Sequence, residues 1–141
     1  MLPKIVGKYL CIVLHATLLY KILNLRPPNM VLSEIIRSTI HYGLHLIFPL
    51  WIAAKWYPSD KKKAYFILLA TMLVDLDHLL ATPIFDPNRC SIGFHPLHSY
   101  YAIAVYCILL YFPKTRLVAI GLVMHMYTDF QDCWLKGILG G

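Results

Sequence analysis

The residues best equipped for chemistry in this 141-residue chain are Asp75-Leu76-Asp77-His78. They close an otherwise apolar run, residues 64–74. Two carboxylates and an imidazole are costly in such surroundings unless they have partners. Candidate partners recur elsewhere as doublets: His41 and His45, His95 and His98, then His125 and Asp129, with Asp132 one turn further on. Spacings of i,i+3 and i,i+4 place both members of a doublet on one helix face. Four helices that each turn a nitrogen or oxygen doublet inward can build a two-metal site. The ligand set read from these spacings is His41, His45, Asp75, His78, His95, His98, His125 and Asp129. Imidazole and carboxylate together suit a divalent metal: two zinc ions, or iron or manganese. Two such ions about 3.5–4 Å apart would share a carboxylate. On an α-helix Asp77 points about 200° away from Asp75, which leaves it a supporting partner or a displaced ligand. Asp77 and Asp132 are the candidate proton acceptors, and Arg89 is a candidate clamp for an anionic substrate.

The elements that must carry these side chains read as helices throughout, because no strand alternation is present. Hydrophobic residues make up 59% of the chain and charged residues only 14%, far below the charge of an ordinary soluble domain. The expectation is an all-α, polytopic membrane four-helix bundle with an additional N-terminal hydrophobic helix. Residues 1–29 form the N-terminal extension, readable as a crossing, an interfacial helix or a signal segment without a small-residue cleavage site. Residues 30–141 form the bundle. Its helices are expected over 34–57 with Ser33 as N-cap, over 63–82, from Pro96 to Phe112-Pro113, and over 116–136 with Gly137 as stop. Pro49 should kink or divide the first of them.

The net charge of +6 lies mostly in short connections and at the ends. No basic helix or basic–aromatic stripe accompanies it, which argues against nucleic-acid binding. In the membrane reading, the lysine-rich turns set the cytoplasmic side and every candidate ligand falls in the outer half. The four cysteines contain no CxxC pair. Cys90 and Cys133 share the expected outer side, where a disulfide between them could persist. Cys11 and Cys107 read as small packing groups and His15 as a structural histidine.

Asp75-Leu-Asp-His78, His95-Pro-Leu-His98-Ser99 and His125-Met-Tyr-Thr-Asp129, with His41 upstream, resemble the bacterial membrane-bound metal-dependent hydrolases. These are the LexA-binding, inner-membrane hydrolase group, distantly similar to zinc phospholipases C. The resemblance covers about residues 34–136. Val74 stands where that family has a proline, and its longer His-Arg-Gly-x-Thr-His-Ser motif is shortened here to His95-x-x-His98-Ser99. The resemblance implies a metal cofactor and hydrolysis. The expectation is a multi-pass protein of a bacterial inner membrane. It would use metal-activated water on a phosphate-containing or lipid substrate, in contact with the lipid bilayer. Two alternatives fit the same residues: a membrane di-iron oxidoreductase acting on acyl chains, and a non-enzymatic metal carrier. The single glutamate, Glu34, argues against a glutamate-bridged di-iron centre.

Overall fold

The computed structural model describes residues 30–84, 86 and 89–139. The expectations for residues 1–29 lie outside them. Four α-helices form the frame: α1 (Met30–Trp56), α2 (Lys61–Ala70), α3 (Tyr100–Leu109) and α4 (Arg116–Leu139). A short 3-10 turn, Pro58–Asp60, joins α1 to α2, and α2 runs directly into a ten-residue 3-10 helix, Thr71–Leu80. A second 3-10 turn, Pro96–His98, precedes α3. α4 is the central element and packs against α1, α2, α3 and the long 3-10 helix.

The helix limits differ from expectation where local chemistry intervenes. α1 begins at Met30 and therefore already runs through Ser33. It continues through Pro49, which is buried and has no N–H to give to the helix ladder. α4 runs past Gly137 to Leu139. Ser99 starts α3, its hydroxyl accepting the Ala102 N–H at 3.3 Å, a side-chain cap that satisfies one free amide of the first turn.

The described residues do not form the expected polytopic membrane bundle. Among the described residues no helix is long and apolar enough to cross a membrane. α3 has ten residues, about 15 Å at 1.5 Å per residue, against the roughly 20 residues a crossing takes. α2 runs on through the 3-10 helix, but that segment carries Lys61, Lys62, Lys63, Asp75, Asp77 and His78. α1 and α4 are long enough, but Glu34, Arg37, His41, His45 and Lys55 interrupt one and Arg116, His125, Asp129, Asp132 and Lys136 the other. The multi-pass inner-membrane localisation and the outer-half placement of the ligands fall with the spans. The composition misleads because the polar groups turn inward. His45, Asp77, His95, His98, His125 and Asp129 are buried, while Leu73, Leu76, Leu79, Leu80 and Tyr101 are exposed.

Two apolar clusters hold the frame. Ile52, Ala53, Ala64, Leu68 and Met124 join α1, α2 and α4; Val74, Tyr106 and Met126 join the 3-10 helix to α3 and α4. Small residues set the spacing. A Cβ placed on Gly121 of α4 would lie 2.6 Å from both Cγ2 and Oγ1 of Thr71. Thr71 is buried and its hydroxyl donates to the Leu68 carbonyl at 2.6 Å, so it cannot swing away freely. Alanine would gain up to about 1 kcal/mol of helix propensity at Gly121, but overpacking costs about 1–3 kcal/mol. Gly121→Ala should therefore lower stability in chemical denaturation. Adding Thr71→Ala should recover part of the loss, a non-additivity that a double-mutant cycle would read directly.

Candidate metal centre

The 3-10 helix Thr71–Leu80 decides how the anchor residues point. At three residues per turn its side chains fall into three columns. Thr71, Val74 and Asp77 are buried; Met72, Asp75 and His78 are half-buried; Leu73, Leu76 and Leu79 are exposed. Asp77 lies two residues beyond Asp75, which is about 120° the other way round the axis in this geometry, 40° nearer than on an α-helix. Both carboxylates therefore turn into the protein.

Four side chains from three elements meet there: Asp75 from the 3-10 helix, His98 from the turn before α3, and His125 and Asp129 from α4. Asp75 Oδ1 lies 3.2 Å from His98 Nε2 and 3.1 Å from His125 Nε2. Asp129 Oδ2 lies 3.1 Å from His98 Nε2 and 3.5 Å from His125 Nε2. The two imidazole Nε2 atoms are 3.4 Å apart. A tetrahedral ion holding nitrogen and oxygen at about 2.0–2.1 Å spaces its ligand atoms by about 3.3–3.4 Å. The cluster has those dimensions.

A second group shares one residue with the first. His41, His45 and Asp129 also bring three donor atoms together. Here Asp129 uses its other oxygen, Oδ1, 3.5 Å from His45 Nε2. One carboxylate thus faces two sets of imidazoles with its two oxygens. His41 Nδ1, His45 Nδ1 and His125 Nδ1 are buried without a hydrogen-bond partner. Orphaned buried donors or acceptors are rare; His41 Nδ1 is available to an ion, whereas His45 and His125 turn Nε2, not Nδ1, toward the cluster.

Asp77 supports rather than ligates. Its Oδ2 accepts from the Leu97 N–H at 2.8 Å and sits 3.1 Å from His98 Nδ1. This carboxylate–imidazole contact holds the proton on Nδ1 and leaves Nε2 as the ligand atom. Asp77, His78 and His98 form a further group of metal-ligand type, but ligation there would break the bond between Asp77 and His98. His78 is anchored separately: Nδ1 lies 3.1 Å from the Asp75 carbonyl and 3.2 Å from Asp77 Oδ1, and Nε2 pairs with the Ser91 hydroxyl at 3.1 Å. His95 stacks on His78, ring centroids 3.9 Å apart, and belongs to none of the three groups.

Asp132 and Arg89, expected to act on substrate, already have partners. Asp132 Oδ2 accepts from Arg37 Nη1 at 3.0 Å. Arg89 donates to the Pro83 carbonyl at 2.9 Å, lies 3.8 Å from Asp86 and covers the Phe94 ring at 4.6 Å. Arg37, Asp132 and Arg89 all border a cavity of about 640 Å³ that opens over His41, His45, Asp75 and Asp129. Arg37 is the functional candidate that spacing arguments overlooked, although it precedes His41 by four residues. A disulfide joins Cys90 to Cys133 with Cα atoms 5.3 Å apart, tying the Arg89 loop to α4.

Without metal, the cluster is an ion-pair network. Burial works against charge on His98, but the carboxylates of Asp129, Asp75 and Asp77 outweigh it and raise the imidazole to about 10. Burial likewise opposes charge on His125, and Asp129 and Asp75 raise it to about 9. Burial alone would raise Asp75 and Asp129, yet their histidine partners hold both well below the usual carboxylate range. His41 is lowered by burial and then by His45, with Asp129 and Asp132 pulling the other way.

The fold and the cluster define an all-helical protein with a buried histidine–aspartate centre of metal-binding type. The chain belongs to DUF6122, a family of unknown function whose model matches residues 35–136. No curated protein and no solved structure matches it.

Two predictions follow from this geometry. In chelator-treated protein, raised imidazoles stabilise the fold fully below their unfolded value near 6.5, and that contribution is lost as pH climbs through about 9 and 10. The depressed carboxylates contribute above about 3.8 and lose their share as pH falls. Melting temperature of the metal-free protein should thus decline from pH 6.5 to 10. Metal must displace the imidazole protons, so the stabilisation added by metal should grow over the same range. Separately, Asp77→Asn should weaken metal affinity about tenfold to a hundredfold in chelator competition, with the fold retained by circular dichroism.

Proposed function

We propose that this protein is a metal-dependent hydrolase of phosphoesters, with two cations that the histidine–aspartate cluster would hold and Asp129 common to both ligand sets. The observation carrying the reading is the division of that carboxylate between two imidazole sets at the floor of an open cavity. Asp75, His98, His125 and Asp129 would hold one cation, and His41, His45 and Asp129 the other. Zinc, manganese and iron all suit imidazole and carboxylate donors. Such cations lower the pKa of bound water to about 7 and polarise a phosphoryl oxygen. The protein supplies the rest. Asp77 keeps His98 in the tautomer that presents Nε2, and Ser91 fixes the ring of His78 at the cavity wall. The side chain of Asp75 is 41% exposed, so the centre has a side open to water and substrate. Arg37, oriented by Asp132, stands at the same cavity to meet an anionic oxygen. The resemblance to metal-dependent hydrolases points the same way.

Elemental analysis of the purified protein should find two equivalents of divalent metal. His41→Ala should lose one equivalent, and Asp129→Ala and His125→Ala should lose more than His41→Ala does. The metal-loaded wild type should hydrolyse bis-p-nitrophenyl phosphate or p-nitrophenyl phosphate, lose that activity to chelator and regain it with metal. Protein that holds no metal, or that holds two equivalents and leaves both esters intact, would sink the reading.

A further inference from the structure

The cavity has two chemically different surfaces. Its floor is formed by His41, His45, Asp75 and Asp129 of the cluster, while His98 and His125 are buried and do not line it. Its side, formed by the 3-10 helix and the facing edge of α1, includes Leu73, Leu76, Leu79 and Tyr42, and Ile84 extends it. All five are exposed: Leu73 by 64%, Leu76 and Leu79 by 58% each. The three-residue period explains the arrangement. The leucine column stands one step, about 120°, from the column of Met72, Asp75 and His78. An apolar strip therefore runs for three turns alongside the half-buried column that carries the ligand Asp75, the full length of the cavity's 3-10 side.

Charge selects what can lie across both surfaces. Asp75, Asp77 and Asp129 carry three negative charges, and two dications exceed them by one. Arg37 is matched by Asp132 and Arg89 by Asp86. The loaded floor thus attracts an anion, while the adjacent wall takes apolar surface out of water. A volume of about 640 Å³ falls in the range of small-molecule sites.

We infer that the substrate is a phosphate ester of a single-chain apolar alcohol, its phosphate on the metal floor and its chain along Leu73, Leu76 and Leu79. The inference rests on the two-cation reading above and adds the substrate class. The leucines are specificity-determining and touch neither metal nor reacting phosphorus.

The test is binding of a homologous series of n-alkylphosphonates, from butyl to octyl and below micelle concentration, to metal-loaded protein by calorimetry. Phosphonates cannot be hydrolysed at the P–C bond, so binding is read apart from turnover. Dissociation constants should fall about twofold to fourfold per methylene, the lower figure for a half-covered chain. Leu73→Gln and Leu76→Gln should flatten that gradient at unchanged metal content. Phe66→Gln, at an equally exposed site on α2 away from the cavity, should leave it intact. Affinity that ignores chain length, or a gradient that survives both leucine variants, overturns the inference, as does absence of phosphonate binding by protein carrying two metals. The matching n-alkyl phosphates separate the two readings. Graded binding with no hydrolysis would remove the hydrolase and leave the amphiphile site. Hydrolysis at one rate and one KM for every chain length would do the reverse.

Discussion

Three carboxylates, two buried and one half-exposed, and their histidine partners occupy one small volume, and that concentration of charge governs the rest of the molecule. Like charges a few ångströms apart in a protein interior cannot coexist without counter-charge. Here Asp75 and Asp129 both lie within 3.5 Å of His125 Nε2. In the metal-free protein the counter-charge is the proton on His98 and on His125. A divalent cation would provide it with better geometry, because a proton on Nε2 shared between two carboxylates points straight at neither. The same atoms therefore form a workable ion-pair network and a ligand set. This distinguishes the centre from a small zinc fold that has no core of its own without metal. The apolar clusters around Ile52 and Leu68, and around Val74 and Tyr106, stand beside the cluster and hold the helices independently of it.

Much of the site was legible from spacing alone. His41 with His45 and His125 with Asp129 are i,i+4 pairs on helices, and a regular helix keeps such pairs on one face. Convergence at one end of the molecule was also legible, though for a reason that needs no bilayer. Antiparallel packing of α1 against α4 is enough to bring His41 and His45, in the first half of one helix, beside Asp129 in the second half of the other. The membrane reading failed because composition cannot tell which face a leucine occupies. Leu73, Leu76 and Leu79 counted toward an apolar run, yet they point away from the core while Asp77, one residue after Leu76 and two before Leu79, points into it. His95 shows the limit of a doublet argument. It pairs with His98 at i,i+3, but the intervening turn gives His98 to the cluster and leaves His95 stacked on His78. Arg89 shows another. A loop cation invites a substrate role, whereas its guanidinium is spent on Pro83, Asp86 and Phe94.

The helix type at residues 71–80 was not legible, and it has the widest consequences. Periodic apolar residues with no glycine or proline among them favour an α-helix on propensity. A 3-10 run of ten residues is long for a geometry that seldom exceeds three or four. Tertiary contacts account for it. Gly121 lets α4 approach until Thr71 touches its backbone, while Asp77 must meet both the Leu97 amide and His98. An α-helical register would rotate Asp77 some 40° further from Asp75 and separate the ligand from its support. The tighter winding keeps Asp75 on the cluster and Asp77 behind His98 at the same time. It also aligns every third side chain, which makes the leucine column straight and parallel to the column that carries Asp75. Chemistry and apolar recognition are thereby built on one element with one period. A change that unwinds this segment to ordinary α-helix must disturb both together, whereas a change of side chain at Leu73 alters the wall without moving the floor.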